Sequence, residues 1–321
     1  MKSFFPLIIA SLSLLAAGRA ADPIAVAKGD GALHFTVGGQ PMFTYRMEPG
    51  PRPEGVPPIY AHGAYLHPVF TPAGKLVTGD FPPDHRHQRG IFFAWTKTEF
   101  EGRYPDFWNM GKGGQPDGKL QAEVRFGALE KSWGGAESGG FVSRHRFIDH
   151  GGAVPKDMLD EKWEVTARRI VAEGRTANVI DLVSTQTCAT ASPVHLPKYH
   201  YGGLGVRGSA QWDPVEAVTM LTSNGDDRKK GDATKAKWVQ LGGDVDGAPA
   251  GIAVLIHPAN FRFPQPLRLN PKNPQLCVAP SQDGDWSIVP STPYVSCYRF
   301  IIYDGAPDAA WFGKLWDDYA K

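Results

Sequence analysis

Aromatic and β-branched runs broken by glycine and proline recur along most of this chain, and stretches with helical periodicity are scarce. Short apolar runs bounded by turn residues are the mark of strands. They predict strands over 33–37, 43–46, 64–70, 75–77, 90–96, 120–133, 140–149, 160–172 and 177–187, then over 195–206, 217–221, 237–241, 251–257 and 294–303. That count exceeds one small sandwich, so the pattern predicts an all-β fold: a large two-sheet antiparallel β-sandwich, supersandwich-like, in one domain over 21–321. One helix is expected, at the end, where Trp311, Leu315, Trp316 and Tyr319 recur at helical spacing after Pro307-Asp308. It reads as a short lid or brace. Gly/Asp/Lys-rich stretches over 111–118, 133–140 and 224–234 read as surface loops.

The first twenty residues follow a different rule. Met1-Lys2 is a short positive start, 4–17 an apolar stretch, and Gly18-Arg19-Ala20 a small-residue cleavage site, so 1–20 reads as a secretory signal peptide and the destination as periplasmic or secreted. That stretch is short for a bilayer, and no later segment is long and apolar enough to span one. Charge excludes another class. Lys plus Arg number 34 against 33 Asp plus Glu, with no basic stripe, so nucleic acid is not an expected partner. Cys188, Cys277 and Cys297 form an odd set, which allows at most one disulfide within the chain or three buried small side chains.

The densest chemistry lies in Asp80-Phe-Pro-Pro-Asp84-His85-Arg86-His87-Gln88-Arg89-Gly90, immediately before an apolar run. On an extended backbone His85, His87 and Arg89 would share one face, since strand side chains repeat every second residue. Imidazoles titrate near neutral pH and guanidiniums clamp oxygens, a combination suited to acid/base work on an oxygen-rich ligand. Further histidines beside aromatics and glycines occur at His62, His67, His200 and His257, whereas His34, His145, His150 and His195 read as hydrogen-bonded structural residues. Three roles compete. In general acid/base catalysis, His85, His87, Arg89 and His200 are the catalytic candidates, and Asp84, Gln88, His67, Trp95, Arg207, His257 and Asn260 the substrate-binding ones. In a metal site, His85 and His87 ligate one divalent ion, with His200, Asp84 or His67 as third ligand. In glycoside hydrolysis, a carboxylate pair is drawn from Asp80, Asp84, Glu99 and Glu101.

Other classes drop out. There is no G-x-S-x-G elbow and no phosphate-cradling G-x-x-x-x-G-K-S/T run, and Gly202-Gly203-Leu204-Gly205 lacks the full dinucleotide pattern. Those glycines read instead as sites of close backbone approach or a bulge. Trp95, Trp108 and Trp212 offer flat faces for a sugar ring or for packing.

Several segments, taken in order, resemble a known family. Tyr65-Leu-His67-Pro68, Asp84-His85-Arg-His87-Gln88-Arg89-Gly90, Gly203-Leu-Gly-Val-Arg207, His257-Pro-Ala-Asn260-Phe-Arg262 and Tyr298-Arg299 look like the PmoA-like family of secreted bacterial proteins. The resemblance implies a β-sandwich related to the galactose-mutarotase-like superfamily and a carbohydrate-associated role; the family's name itself points to a metal-dependent oxygenase. Gln88 stands where that family's pattern usually has another histidine. Mutarotases of the superfamily use a late glutamate base, and this chain has no glutamate after Glu216. The resulting expectation is a carbohydrate-active lyase, epimerase or hydrolase, with a sugar-binding protein without catalysis as the alternative.

Overall fold

The computed structural model describes residues 22–111 and 119–321. The signal-peptide reading of 1–20 and most of the 111–118 loop lie outside the described residues. Two large antiparallel sheets face one another as a β-sandwich. The nine-stranded sheet runs, edge to edge, Ile24–Gly29, Ala32–Val37, Gln40–Arg46, Tyr65–Val69, Ile91–Ala94, Gly203–Arg207, Gln275–Val278, Gln265–Leu269 and Lys235–Ala236. The eight-stranded sheet runs Thr219–Thr222, Trp238–Val245, Ala248–Ile256, Tyr294–Asp304, Arg175–Cys188, Lys156–Ala172, Gly139–Asp149 and Ala122–Trp133. No helix of the described residues is long and apolar enough to cross a membrane.

Most strands form where alternation predicts, because one face of each must leave water; the expected strand over 75–77 does not, its Leu76 making only an isolated bridge to Phe70. In Lys156–Ala172 the positions Glu161, Trp163, Val165 and Ala167 are all buried while their neighbours are not, so a one-residue slip would turn the inward set to solvent. Phe35, Phe43 and Tyr45 of one sheet meet Phe141 and Trp163 of the other, with the Tyr45 and Phe141 rings stacked at 4.1 Å. Each fully buried aromatic or aliphatic side chain contributes about 1.5–3 kcal/mol.

A polar chain crosses this apolar layer. Tyr45 Oη lies 2.8 Å from His145 Nε2, and His145 Nδ1 lies 2.9 Å from Glu161 Oε2. Ser184 and Gln186 donate to Glu161 Oε1, and Trp95 Nε1 donates to Gln186. Every member is buried and bonded, as groups at low dielectric must be.

The C-terminal helix Ala309–Tyr319 starts where Pro307-Asp308 predicts, with the Asp308 side chain accepting from Trp311 N. Trp311, Phe312 and Leu315 pack on the outer face of the eight-stranded sheet against Val179, Leu255 and Tyr303, so the helix braces that sheet. Several expectations are corrected. The 195–206 segment is two strands in different sheets, Val194–Leu196 and Gly203–Arg207. The 224–234 stretch contains a short helix, Arg228–Gly231. Four further strands escape the pattern: Gln265–Leu269 and Trp286–Ile288, where Pro266, Arg268 and Ser287 interrupt the apolar residues, and Ile24–Gly29 and Gln275–Val278, whose apolar runs over 24–27 and 276–279 are short. All three cysteines are free.

Candidate functional site

The 80–90 segment is not extended. Two tight turns, His85 N to Pro82 O and Gln88 N to His85 O, fold it over the outer face of the nine-stranded sheet. These turns, rather than strand alternation, set the direction of each side chain, and the segment splits by function. His85, His87 and Gln88 reach a polar pocket of about 200 Å³. Arg89 turns the other way: wholly buried, it donates to Asp80, to Tyr60 O and to Tyr65 Oη, with its guanidinium 3.5 Å above the Phe81 ring. Arg89 therefore holds the segment down and does not reach a ligand.

The pocket is built on strand geometry. Residues of Gly203–Arg207, Gln275–Val278 and Gln265–Leu269 alternate between the core, as Leu204, Val206, Leu276 and Leu267 do, and the outer face, where Arg207 pairs with Gln275 and Arg268 with Cys277. Gly205 lies on that face beneath Trp108; a Cβ there would come within 2.8 Å of both Phe92 and Trp108, so the glycine lets the indole lie on the sheet. Trp108, Asn109, His200 and Tyr201 close the other side.

At the pocket mouth Asp84 and His85 form a pair, Oδ2 to Nδ1 at 2.8 Å, with side chains 45% and 38% exposed. A carboxylate is an acceptor only, so His85 Nδ1 carries the proton and Nε2 keeps a free lone pair for the pocket. Asn273 Nδ2 donates to the same Asp84 oxygen at 2.7 Å. Partial burial pushes the Asp84 carboxyl up, but the bonds from Asn273 and His85 and the charge of Arg207 outweigh it and hold the group below its ordinary value. Asp84 thus stays ionised and fixes the imidazole.

His87 sits with its ring 5.6 Å from that of His85 and 6.3 Å from that of Tyr60, and makes no hydrogen bond to the described residues. Burial, reinforced by the neighbouring imidazole of His85, pushes it down to about 3, so it is neutral at any ordinary pH. His62, behind it, is likewise pushed down to about 3 by burial and Arg89. Across the pocket Asn109 donates to Asp106 and to Tyr201 Oη, which fixes its carbonyl as an acceptor. Burial pushes the Tyr201 phenol up to about 12, so it keeps its proton.

The pocket thus brings together four of the predicted residues, His85, His87, Gln88 and His200, with Asp84 one bond behind. Arg207 lies beneath the site as a positioning residue, buried and bonded to Gln88 and Asp213. His67 is turned to Thr78. Trp95 is core, bonded to Gln186, and offers no face to a ligand. His257 and Asn260 do not line the pocket: the His257 ring packs on Tyr319, and Asn260 ties Cys297 to Gln265. Among the described residues no three His, Cys, Asp or Glu side chains are placed to hold a metal ion, which leaves the metal reading without its third ligand. Nor do the carboxylates form an acid/base pair: Asp80 holds Arg89, and Glu101 holds Lys156.

Sequence reasoning missed Asn109, Tyr201, Arg268, Asn270, Gln275 and Asn273. Tyr201 and Asn109 had a signal in their neighbours His200 and Trp108; the other four lie on or between the unpredicted strands Gln265–Leu269 and Gln275–Val278. No curated protein matches the sequence. Residues 32–317 match the model of DUF6807, described as a family of unknown function, and the chain belongs to that family.

Proposed function

We propose that this protein acts on a sugar or glycoside by proton transfer, as a lyase or epimerase, with His85 as the group that moves the proton. The single observation that carries this reading is the Asp84–His85 pair, anchored by Asn273, at the mouth of a polar pocket of monosaccharide size. A carboxylate behind one ring nitrogen sets the tautomer and steadies the imidazolium that forms when the other nitrogen takes a proton. His87, neutral and without a partner among the described residues, serves as a hydrogen-bonding group for a hydroxyl rather than as a second base, since an imidazole so reluctant to protonate is a weak one. Trp108 supplies apolar contact to a ring face, and Asn109 and Gln275 supply polar contacts. Hydrolysis by a carboxylate pair loses support because, among the described residues, no acidic side chain lines the pocket itself and Asp84 at its mouth is taken up by His85. The PmoA-like resemblance and the β-sandwich are in keeping with a carbohydrate role, and we propose secretion or a periplasmic location on the strength of residues 1–20.

The test is a product screen by mass spectrometry over neutral and acidic glycans, run with wild type and His85→Ala, alongside ligand-observed NMR for binding. Product from wild type and none from the variant supports the proposal. Binding by both without product by either replaces it with a sugar-binding protein.

A further inference from the structure

Three donors converge on one side of the pocket. Gln88 Oε1 accepts from Arg207 Nη1 at 2.9 Å; because arginine only donates, that bond fixes the orientation of the amide and leaves the Gln88 NH₂ to the pocket. Gln275, 3% exposed, lies next to Arg207 in the register, and its Nε2 has no partner among the described residues. Arg268 sits diagonally across from Gln275 on the neighbouring strand, within reach of long side chains. Asp232 takes one edge of its guanidinium, and the remaining N–H groups bond no described residue. A neutral hydroxyl needs an acceptor as well as a donor, whereas a carboxylate takes donors only. A buried amide left without a partner costs about 1–3 kcal/mol, so an oxygen that meets it gains accordingly.

We infer that the ligand carries a carboxylate, as uronates and other acid sugars do, and that Arg268, Gln275 and Gln88 hold it. This rests on the reading of the pocket as a sugar site. The acceptor Asn109 Oδ1, on the opposite wall, takes a hydroxyl of the same ring. A carboxylate held by a cation and amides also acidifies the adjacent C–H, which suits a pocket whose base is an imidazole.

The experiment is titration calorimetry of the full-length protein with D-glucuronate and D-galacturonate against D-glucose and D-galactose, in wild type, Arg268→Gln and Gln275→Met. Charge-assisted bonds predict that wild type prefers the acids by about tenfold or more and that each variant shrinks the preference, read as the ratio of acid to neutral affinity within the same protein, to roughly threefold or less. Gln275→Met keeps volume and charge, and decides alone if Arg268→Gln does not fold. Equal binding of acid and neutral sugars, or a preference that survives the variants, overturns the carboxylate while leaving the sugar site standing. No binding of any sugar overturns the sugar reading and this inference with it.

Discussion

Two histidine–carboxylate pairs in this molecule share geometry and differ in everything around them. His145–Glu161 lies between the sheets with both side chains fully buried, and Tyr45, Ser143, Ser184 and Gln186 satisfy the remaining positions. Asp84–His85 lies at a pocket mouth, more than a third exposed, with one ring nitrogen unspent. The first pair has no capacity left for a ligand and serves to tie one sheet to the other. The second retains both access and a free lone pair. A histidine beside a carboxylate therefore becomes a candidate for chemistry only where its environment leaves a bonding position open.

The largest effect expected from breaking this comparison is at the sealed pair. Glu161→Ala removes the acceptor of three buried donors and should cost about 3–5 kcal/mol in urea unfolding; a loss under about 1 kcal/mol would deny the pair its structural role. The mirror change, His85→Ala, should lower turnover by roughly 10²–10⁴-fold while stability stays within about 0.5 kcal/mol, checked by steady-state kinetics beside thermal melts. If the melts shift as much as the kinetics, the two pairs are not different in kind.

Acid should sharpen the contrast next. Burial holds His62 and His87 down to about 3 and His67 down to about 4, below the unfolded value of about 6.5. The unfolded chain then takes up protons first, so the stability present above pH ~6.5 is lost as pH falls toward ~4 for His67 and ~3 for His62 and His87, on the order of 1–3 kcal/mol per histidine. Unfolding followed against pH should show this limb, and His62→Gln should flatten it. A limb of unchanged slope would mean that His62 is not held neutral. Asp84→Asn should have a smaller effect, lowering turnover by about 10–100-fold, because the imidazole remains but its half-exposed orienting partner no longer imposes the tautomer. Activity equal to wild type would reduce Asp84 to a surface charge.

Much of the fold was legible because alternation is a local property. The long strands of the eight-stranded sheet and the helix start at Asp308 could be read directly, since burial on one face leaves its period in the sequence. Gln265–Leu269 and Gln275–Val278 could not, because Pro266 and Arg268 break the first and the second is only four residues long and opens on the polar Gln275. The same interruption hid the site's far wall, as Arg268 and Gln275 are polar for the sake of the pocket. Within 80–90 the composition pointed to chemistry but not to direction. The turns at Pro82 and His85 send His85 and His87 outward and Arg89 inward, and that choice is made by Asp80, Tyr65 and Tyr60, which no local pattern connects.

The most direct test of the account is a ¹H NMR time course in D₂O, with wild type and His85→Ala incubated separately with neutral and uronate-containing oligosaccharides. The account predicts that wild type forms product or places deuterium on a sugar carbon, and that the His85→Ala variant, equally folded, does neither. Equal conversion by both proteins would contradict the assignment of His85, and oligosaccharides left unchanged and unbound by wild type would contradict the sugar site itself.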